Sequence, residues 1–209
     1  MKVILFGAPG SGKGTQAPLL SKHLNVATIS LGDILREEVK RDSELGREVK
    51  GYMEKGALVP DGVVARVIEE NVDKEGFILD GYPRNLAQAK NLEEVLQKKG
   101  QGIDAFIYFE VDEDTVINRL SKRIVCKKCG ALYHLVNMPP AHEGVCDVCQ
   151  GSLYQRKDDN PTVIKKRLEV FMQESRNVVD FYRDCGKLIT VDARKEKDDV
   201  FAQIKEKLK

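Results

Sequence analysis

Nine residues near the start of the chain, Gly7-Ala8-Pro9-Gly10-Ser11-Gly12-Lys13-Gly14-Thr15, set four glycines around one lysine and two hydroxyls. Glycines let successive backbone N–H groups turn inward around an anion without Cβ clashes. Lys13 is a compact cation able to follow phosphate charge as it moves. Gly10, Ser11, Gly12, Lys13, Gly14 and Thr15 are therefore candidates for cradling a triphosphate, provided a strand precedes them and a helix follows. The strict form of this loop places Ser or Thr directly after the lysine; here Gly14 intervenes and Thr15 follows.

A second group is Cys126-Lys127-Lys128-Cys129 with Cys146-Asp147-Val148-Cys149. The spacing C-x2-C-x16-C-x2-C lies in the range of zinc sites. Each knuckle aims two thiolates at one point, and four protein ligands leave no open position, so the metal would be structural. Lys127, Lys128 and Arg123 are placed to offset thiolate charge. His134 and His142, between the knuckles, are read as solvent-facing, and Cys185 as an ordinary small residue.

A third group is scattered: Arg36, Arg84, Arg119, Arg123, Arg156 and Arg167, with Asp80 at the end of an apolar run. Transfer between two polyphosphates gathers negative charge at one point, and the attacking phosphate oxygen is already ionised near neutral pH. No general base is needed, so positioning and charge neutralisation carry the reaction. Guanidinium forks suit that task. A strand-end carboxylate such as Asp80, beside a phosphate loop, suits Mg²⁺ bridging the phosphates.

These groups need elements to hold them. Val3 to Phe6, Phe77 to Leu79 and Ala105 to Phe109 read as buried strands, with weaker candidates at Ala27 to Ser30 and Leu188 to Val191. Between them, Leu86 to Lys99 and Pro161 to Tyr182 carry helical spacing. Strand–helix alternation predicts an α/β fold with a parallel sheet covered by helices on both faces. Pro18 falls awkwardly beyond the first turn of the helix expected after the loop. Two stretches break the alternation: a charged helical segment at 30–59 and a cysteine-bearing segment at 122–159. The core would then be 1–29, 60–121 and 160–209. The 122–159 segment has few large apolar groups, which gives a metal staple its physical rationale.

The loop resembles that of the adenylate kinase family, G-x-P-G-x-G-K-G-T-Q. Three further blocks agree in order and spacing: Ser30-Leu31-Gly32-Asp33-Ile34-Leu35-Arg36, then Leu79-Asp80-Gly81-Tyr82-Pro83-Arg84 with Gln88, then Gln155-Arg156-Lys157-Asp158-Asp159-Asn160. The resemblance covers nearly the whole chain and points to the long-lid, zinc-binding type. It implies a P-loop kinase core, a monophosphate-binding insertion at 30–59 and a zinc-bearing lid at 122–159 that closes over ATP and excludes water.

It assigns Arg36 and Arg84 to the acceptor phosphate. Arg119 and Arg123 go to the triphosphate, and Arg156 and Arg167 span the reacting phosphoryls. Asp80 orients magnesium through water, while Asp33 either joins that network or caps the helix that follows it. Gln88 reads adenine, with Ala57, Leu58 and Val59 lining the same pocket and Gly81, Tyr82 and Pro83 beside it. Leu132 and Tyr133 face the adenine of ATP, and Lys195 contacts that base through its backbone. Two departures matter. Leu31 stands where the family has threonine beside the acceptor base, removing a hydroxyl contact. Asp192-Ala193-Arg194-Lys195 lacks the usual glycine.

The implied reaction is Mg·ATP plus AMP giving two ADP, reversibly, with structural Zn²⁺ as a further cofactor. Composition agrees in what it excludes. The 209 residues carry a formal charge of +1, with 32% charged residues of mixed sign. Neither nucleic acid nor a membrane is suggested as a partner. No apolar run is long enough for a leader or a span, so a cytoplasmic protein is expected, with four clustered cysteines holding metal rather than disulfides. No hydrophobic assembly face is evident, and a monomer is expected. A kinase for UMP or CMP would keep the same core with other base contacts. A zinc ribbon binding nucleic acid or protein would need a basic surface, and residues 130–150 are poor in basic side chains.

Overall fold

Residues Val3, Ile4, Leu5 and Phe6 are all buried, as an apolar run must be at the centre of a sheet covered on both sides. They belong to β1 (Lys2–Gly7) in a computed structural model that describes residues 1–72 and 75–208. β1 pairs in parallel with β3 (Phe77–Asp80) on one side and with β4 (Ala105–Glu110) on the other. β2 (Ala27–Ser30) adds beyond β3 and β8 (Leu188–Asp192) beyond β4, giving the order β2-β3-β1-β4-β8. All five strands read from the sequence are present.

Alternation along the strands sends residues to two cores. Val3, Leu5, Ile78 and Ile107 pack against Ala17 and Leu20 of α1 (Lys13–Leu24), and against Val200 and Ile204 of α8 (Lys197–Lys207). Ile4, Phe6, Leu79 and Phe106 face the other way. They meet α4 (Asp61–Asn71), α5 (Leu86–Lys98) and α7 (Pro161–Asp184) through Val64, Leu92 and Tyr182. Asn160 caps α7 by accepting from Val163 N at 3.0 Å, and Pro161 takes the first helical position, where its missing donor costs nothing. Pro18 lies inside α1, which continues through it to Leu24.

The two stretches outside the alternation form their own elements. Residues after β2 make α2 (Leu31–Lys40) and α3 (Glu44–Glu54). After α6 (Glu113–Ser121), the cysteine segment folds as an antiparallel sheet. Its central strand is β5 (Arg123–Cys126), flanked by β6 (Leu132–His134) and β7 (Leu153–Tyr154). Among the described residues, no helix is long and apolar enough to cross a membrane.

Candidate nucleotide and phosphoryl-transfer site

The glycine loop leaves the carboxyl end of β1, where a parallel sheet opens a crevice for ligands. Two of its glycines are required by space as well as by backbone. A Cβ on Gly7 would lie 2.8 Å from Ser11 Oγ and 2.9 Å from the Phe109 carbonyl oxygen. Gly10 has φ +81°, and its Cβ would fall 2.7 Å from Leu120. Lys13 opens α1 and folds back over the loop, its Nζ donating to the Gly7 and Ala8 carbonyls at 2.7 and 2.9 Å.

Asp80 stands beside the loop because β1 and β3 pair with Leu5 opposite Asp80. Burial pushes its carboxyl above the ordinary value while Lys13 pulls it down. Lys13 itself is lowered to about 8, first by burial, with Asp80 opposing and Arg84, Arg167 and Arg123 adding to the fall. Three arginines drawn from distant parts of the chain thus bear on the charge of the P-loop lysine. Arg84, although its side chain stays accessible to solvent, is lowered to about 10 by desolvation in the crevice, then by Arg167 and Arg36. Arg156 is also lowered to about 10, by burial, then by Arg36 and Arg123. A set of cations that raise one another's energy in this way is a candidate for holding an anion.

Carboxylates hold the cations in place. Arg123 forms a two-pronged pair with Asp159, Nε to Oδ2 at 2.8 Å and Nη2 to Oδ1 at 2.6 Å. Arg167 reaches Asp158 Oδ2 at 3.0 Å and Asp159 Oδ1 at 3.4 Å. Arg36 and Arg156 share Asp33 Oδ1 at 2.5 and 3.4 Å. Burial raises the Asp33 carboxyl, but Arg36 and Arg156 outweigh it and hold the group below its ordinary value. Of the two roles open for Asp33 in the sequence, helix capping is not taken, since Ser30 occupies the cap position of α2; its carboxylate instead pairs with Arg36 and Arg156. Asp158 and Asp159 were missed as functional groups by sequence reasoning. Their signal was two adjacent acids after Arg156, one of them buried.

The second sheet closes on the loop through Leu132. A Cβ on Gly14 would meet Leu132 Cδ1 at 3.1 Å, with Asp80 Oδ2 at 3.9 Å. This contact gives a physical reason for glycine after the lysine: a larger residue there would press on β6. Tyr133 requires correction. Its neighbour Leu132 faces the P-loop, so along the strand Tyr133 faces the opposite side. Its hydroxyl lies 3.4 Å from Cys146 Sγ and accepts from Asp147 N at 2.8 Å. The phenol therefore belongs to the cysteine cluster, leaving only the backbone of Tyr133 for a nucleotide. His134 is also not solvent-facing: its Nδ1 accepts from Val136 N and Asn137 N at 3.2 and 3.0 Å, and its Nε2 is buried.

Arg119 is likewise not brought into the cation cluster. Its guanidinium donates to the carbonyls of Ala193 and Arg194, at 2.8 and 3.4 Å, because α6 packs beside the loop after β8. It thereby braces the loop that presents Lys195, whose side chain is exposed.

On the acceptor side, Gly81 has φ +83°, and its carbonyl accepts from Arg84 Nε at 2.9 Å. Tyr82 is buried and donates to the Gln88 carbonyl at 3.1 Å; burial, then Asp61, pushes its phenol up. Pro83 is buried, Ala57 and Leu58 are half-buried, and Val59 is buried. Gly56 lets this segment approach α7, since a Cβ there would fall 2.9 Å from Arg167 Cγ.

The four cysteines Cys126, Cys129, Cys146 and Cys149 bring their sulfurs within 4.8 Å of one another. The Cys126–Cys149 and Cys129–Cys146 sulfurs are 3.5 and 3.6 Å apart. Tetrahedral Zn–S bonds of about 2.3 Å require sulfurs about 3.8 Å apart, so the donor set fits. Lys128 N donates to Cys126 Sγ at 3.3 Å, as suits a thiolate. Gly151 permits the approach, because a Cβ there would lie 3.1 Å from Cys126 Sγ. The cluster is compatible with zinc.

The model of the adenylate kinase family matches residues 5–187. The adenylate kinase of Caldicellulosiruptor bescii is 47% identical over 208 residues, covering 98% of this chain and 97% of its own. That of Bacillus licheniformis is 47% identical over 212 residues, covering 100% and 98%. That of Methanocella arvoryzae is 46% identical over 209 residues, covering 98% and 97%. With the P-loop, the opposed arginines and the cysteine cluster already in place, these matches settle the identity: the chain belongs to the adenylate kinase family.

Proposed function

We infer that this chain is an adenylate kinase, a phosphotransferase moving the terminal phosphoryl of ATP to AMP and giving two ADP reversibly. The observation that carries the reading is Lys13 folded over the glycine loop, with Asp80 at the end of the neighbouring strand, Arg36 and Arg156 sharing Asp33, and Arg123 and Arg167 sharing Asp159. The P-loop would cradle the donor phosphates through Gly10 to Thr15. Arg36 and Arg84 would hold the acceptor phosphate, and Arg123, Arg156 and Arg167 would span the phosphoryl in transit. Since the attacking oxygen is already ionised, these groups orient and neutralise rather than move a proton.

When bound, Mg²⁺ supplies charge neutralisation across the donor phosphates. Asp80, through water, and Thr15 would hold it beside the loop, as suits a cation that keeps most of its water. Zn²⁺ is the proposed occupant of the cysteine cluster, with a structural role. We place the acceptor insertion at 30–59 and the lid at 122–159, the remainder being core. Leu132 resting over Gly14 supports a lid that excludes water from the phosphates. One chain carries all the named residues, which supports a monomer. Cysteines kept for metal suit a reducing cytoplasm.

The test is an acceptor panel of AMP, GMP, UMP and CMP with Mg·ATP, following ADP formation. AMP is expected to outpace the others. Preference for UMP or CMP would transfer the chain to another monophosphate kinase activity.

A further inference from the structure

Gln88 is 3% exposed, and its side-chain amide is held at both ends. Its Oε1 accepts from the backbone N–H of Arg84 at 2.7 Å. Its Nε2 donates to Asp61 Oδ1, also at 2.7 Å. The chemistry of the partners fixes the polarity. A backbone N–H only donates and an ionised carboxylate only accepts, so turning the amide over would set donor against donor and acceptor against acceptor.

Asp61 is itself held. Asn85 Nδ2 donates to both of its oxygens at 3.1 and 3.2 Å. The other end of Asn85, Oδ1, accepts from Gln88 N at 2.8 Å and caps α5. Asp61 opens α4 directly after the Ala57-Leu58-Val59-Pro60 segment. The amide thus lies between that segment and Arg84.

We propose that Asp61 is a specificity-determining positioning residue, which locks the Gln88 amide so that it reads the hydrogen-bond polarity of the acceptor base. One amide hydrogen and one oxygen lone pair remain uncommitted, in fixed order. Adenine presents an amino donor beside a ring-nitrogen acceptor, which matches that order. Guanine and uracil present a carbonyl acceptor beside a ring N–H donor, the reverse. Cytosine shares adenine's order and must be refused by size. Leu31, Ala57, Leu58 and Val59 have no polar side chain, so among these side chains and that of Gln88 only the amide can read this polarity. The inference rests on the adenylate kinase reading and sharpens its acceptor site.

The experiment compares kcat and KM for AMP and GMP in the wild type, Asp61→Ala, Asp61→Asn, Gln88→Ala and the double variant Asp61→Ala/Gln88→Ala. Melting curves for each confirm folding. Losing one charge-assisted hydrogen bond in Asp61→Ala is expected to raise the KM for AMP about tenfold and lower the AMP-to-GMP ratio of kcat/KM about as much, with kcat for AMP changing much less. Asp61→Asn retains an acceptor oxygen and is expected to restore most of the ratio. In the double variant, the two losses are expected not to add. An unchanged ratio in Asp61→Ala would overturn the proposal. So would an equal loss for both acceptors, which is the mark of a carboxylate serving only the N-terminus of α4, or full additivity with Gln88→Ala. If the wild type does not phosphorylate AMP, the failure lies with the kinase reading instead.

Discussion

Arg123 and Asp159 lie 36 residues apart and meet as a two-pronged pair at 2.8 and 2.6 Å, the Asp159 side chain wholly buried. The pair joins the first strand of the cysteine-bearing sheet to the turn before α7. It also brings a cation to the P-loop at low cost, because its charge is balanced until phosphates arrive.

Replacing Asp159 by Asn would leave Arg123 and Arg167 facing each other without that carboxylate. Breaking a buried pair on one side typically costs about 3 kcal/mol. At this chain length that corresponds to a melting temperature lower by roughly 6–12 °C. Inorganic tripolyphosphate should recover part of the loss in Asp159→Asn, because the added anion replaces the missing charge. A melting curve equal to that of the wild type would contradict the balancing role.

Lys13 gives a pH dependence with a definite sign. Its pKa in the folded chain falls from 10.5 to about 8, chiefly by burial. Between those values the unfolded chain binds the proton more readily, so this group makes stability rise with pH over that window. Binding runs the other way. Triphosphate favours the charged ammonium, so ATP binding above pH 8 should take up a proton. Calorimetry at pH 8.5 in two buffers of different ionisation enthalpy would measure it. Zero uptake would show that Lys13 does not meet the phosphates. The Lys13→Met variant should keep its fold, lose this uptake and turn over at least about 10³-fold more slowly.

Chelation tests the cysteine cluster. Removing the metal should lower the melting temperature by several degrees, with the loss beginning in the lid, since that segment has only a small core around Tyr133. An unchanged melting curve would rule out a structural metal. Tyr133→Phe removes the hydroxyl beside Cys146 Sγ. It should weaken metal retention about tenfold in competition with a chromogenic chelator, without removing a ligand. Retention equal to that of the wild type would confine Tyr133 to packing.

The sheet was legible because Val3 to Phe6 and Phe77 to Leu79 are buried on both faces, and such strands read as unbroken apolar runs. The phosphate loop was legible because glycines and a lysine at fixed spacing have one clear use. The small sheet at 122–159 was not, because β6 and β7 span three and two residues, too few to show alternation. The side to which Tyr133 points followed from strand register, which spacing does not reveal. Arg119 was assigned to the triphosphate by resemblance, yet its direction is set by the packing of α6 beside the β8–α8 loop. Resemblance names residues, but only the fold decides which partner each one meets. Asp158 and Asp159 show the converse: two acids of a matching block, given no role from the sequence, become the counter-ions of part-buried arginines.

The most direct measurement starts from ADP alone, with Mg²⁺ and no other acceptor. An adenylate kinase must bind ADP at both sites and disproportionate it, so nuclear magnetic resonance of ³¹P should show ATP and AMP appearing in equal amounts until equilibrium. Unchanged ADP, or AMP accumulating with inorganic phosphate and no ATP, would contradict phosphoryl transfer between two adenine nucleotides at the Lys13–arginine site.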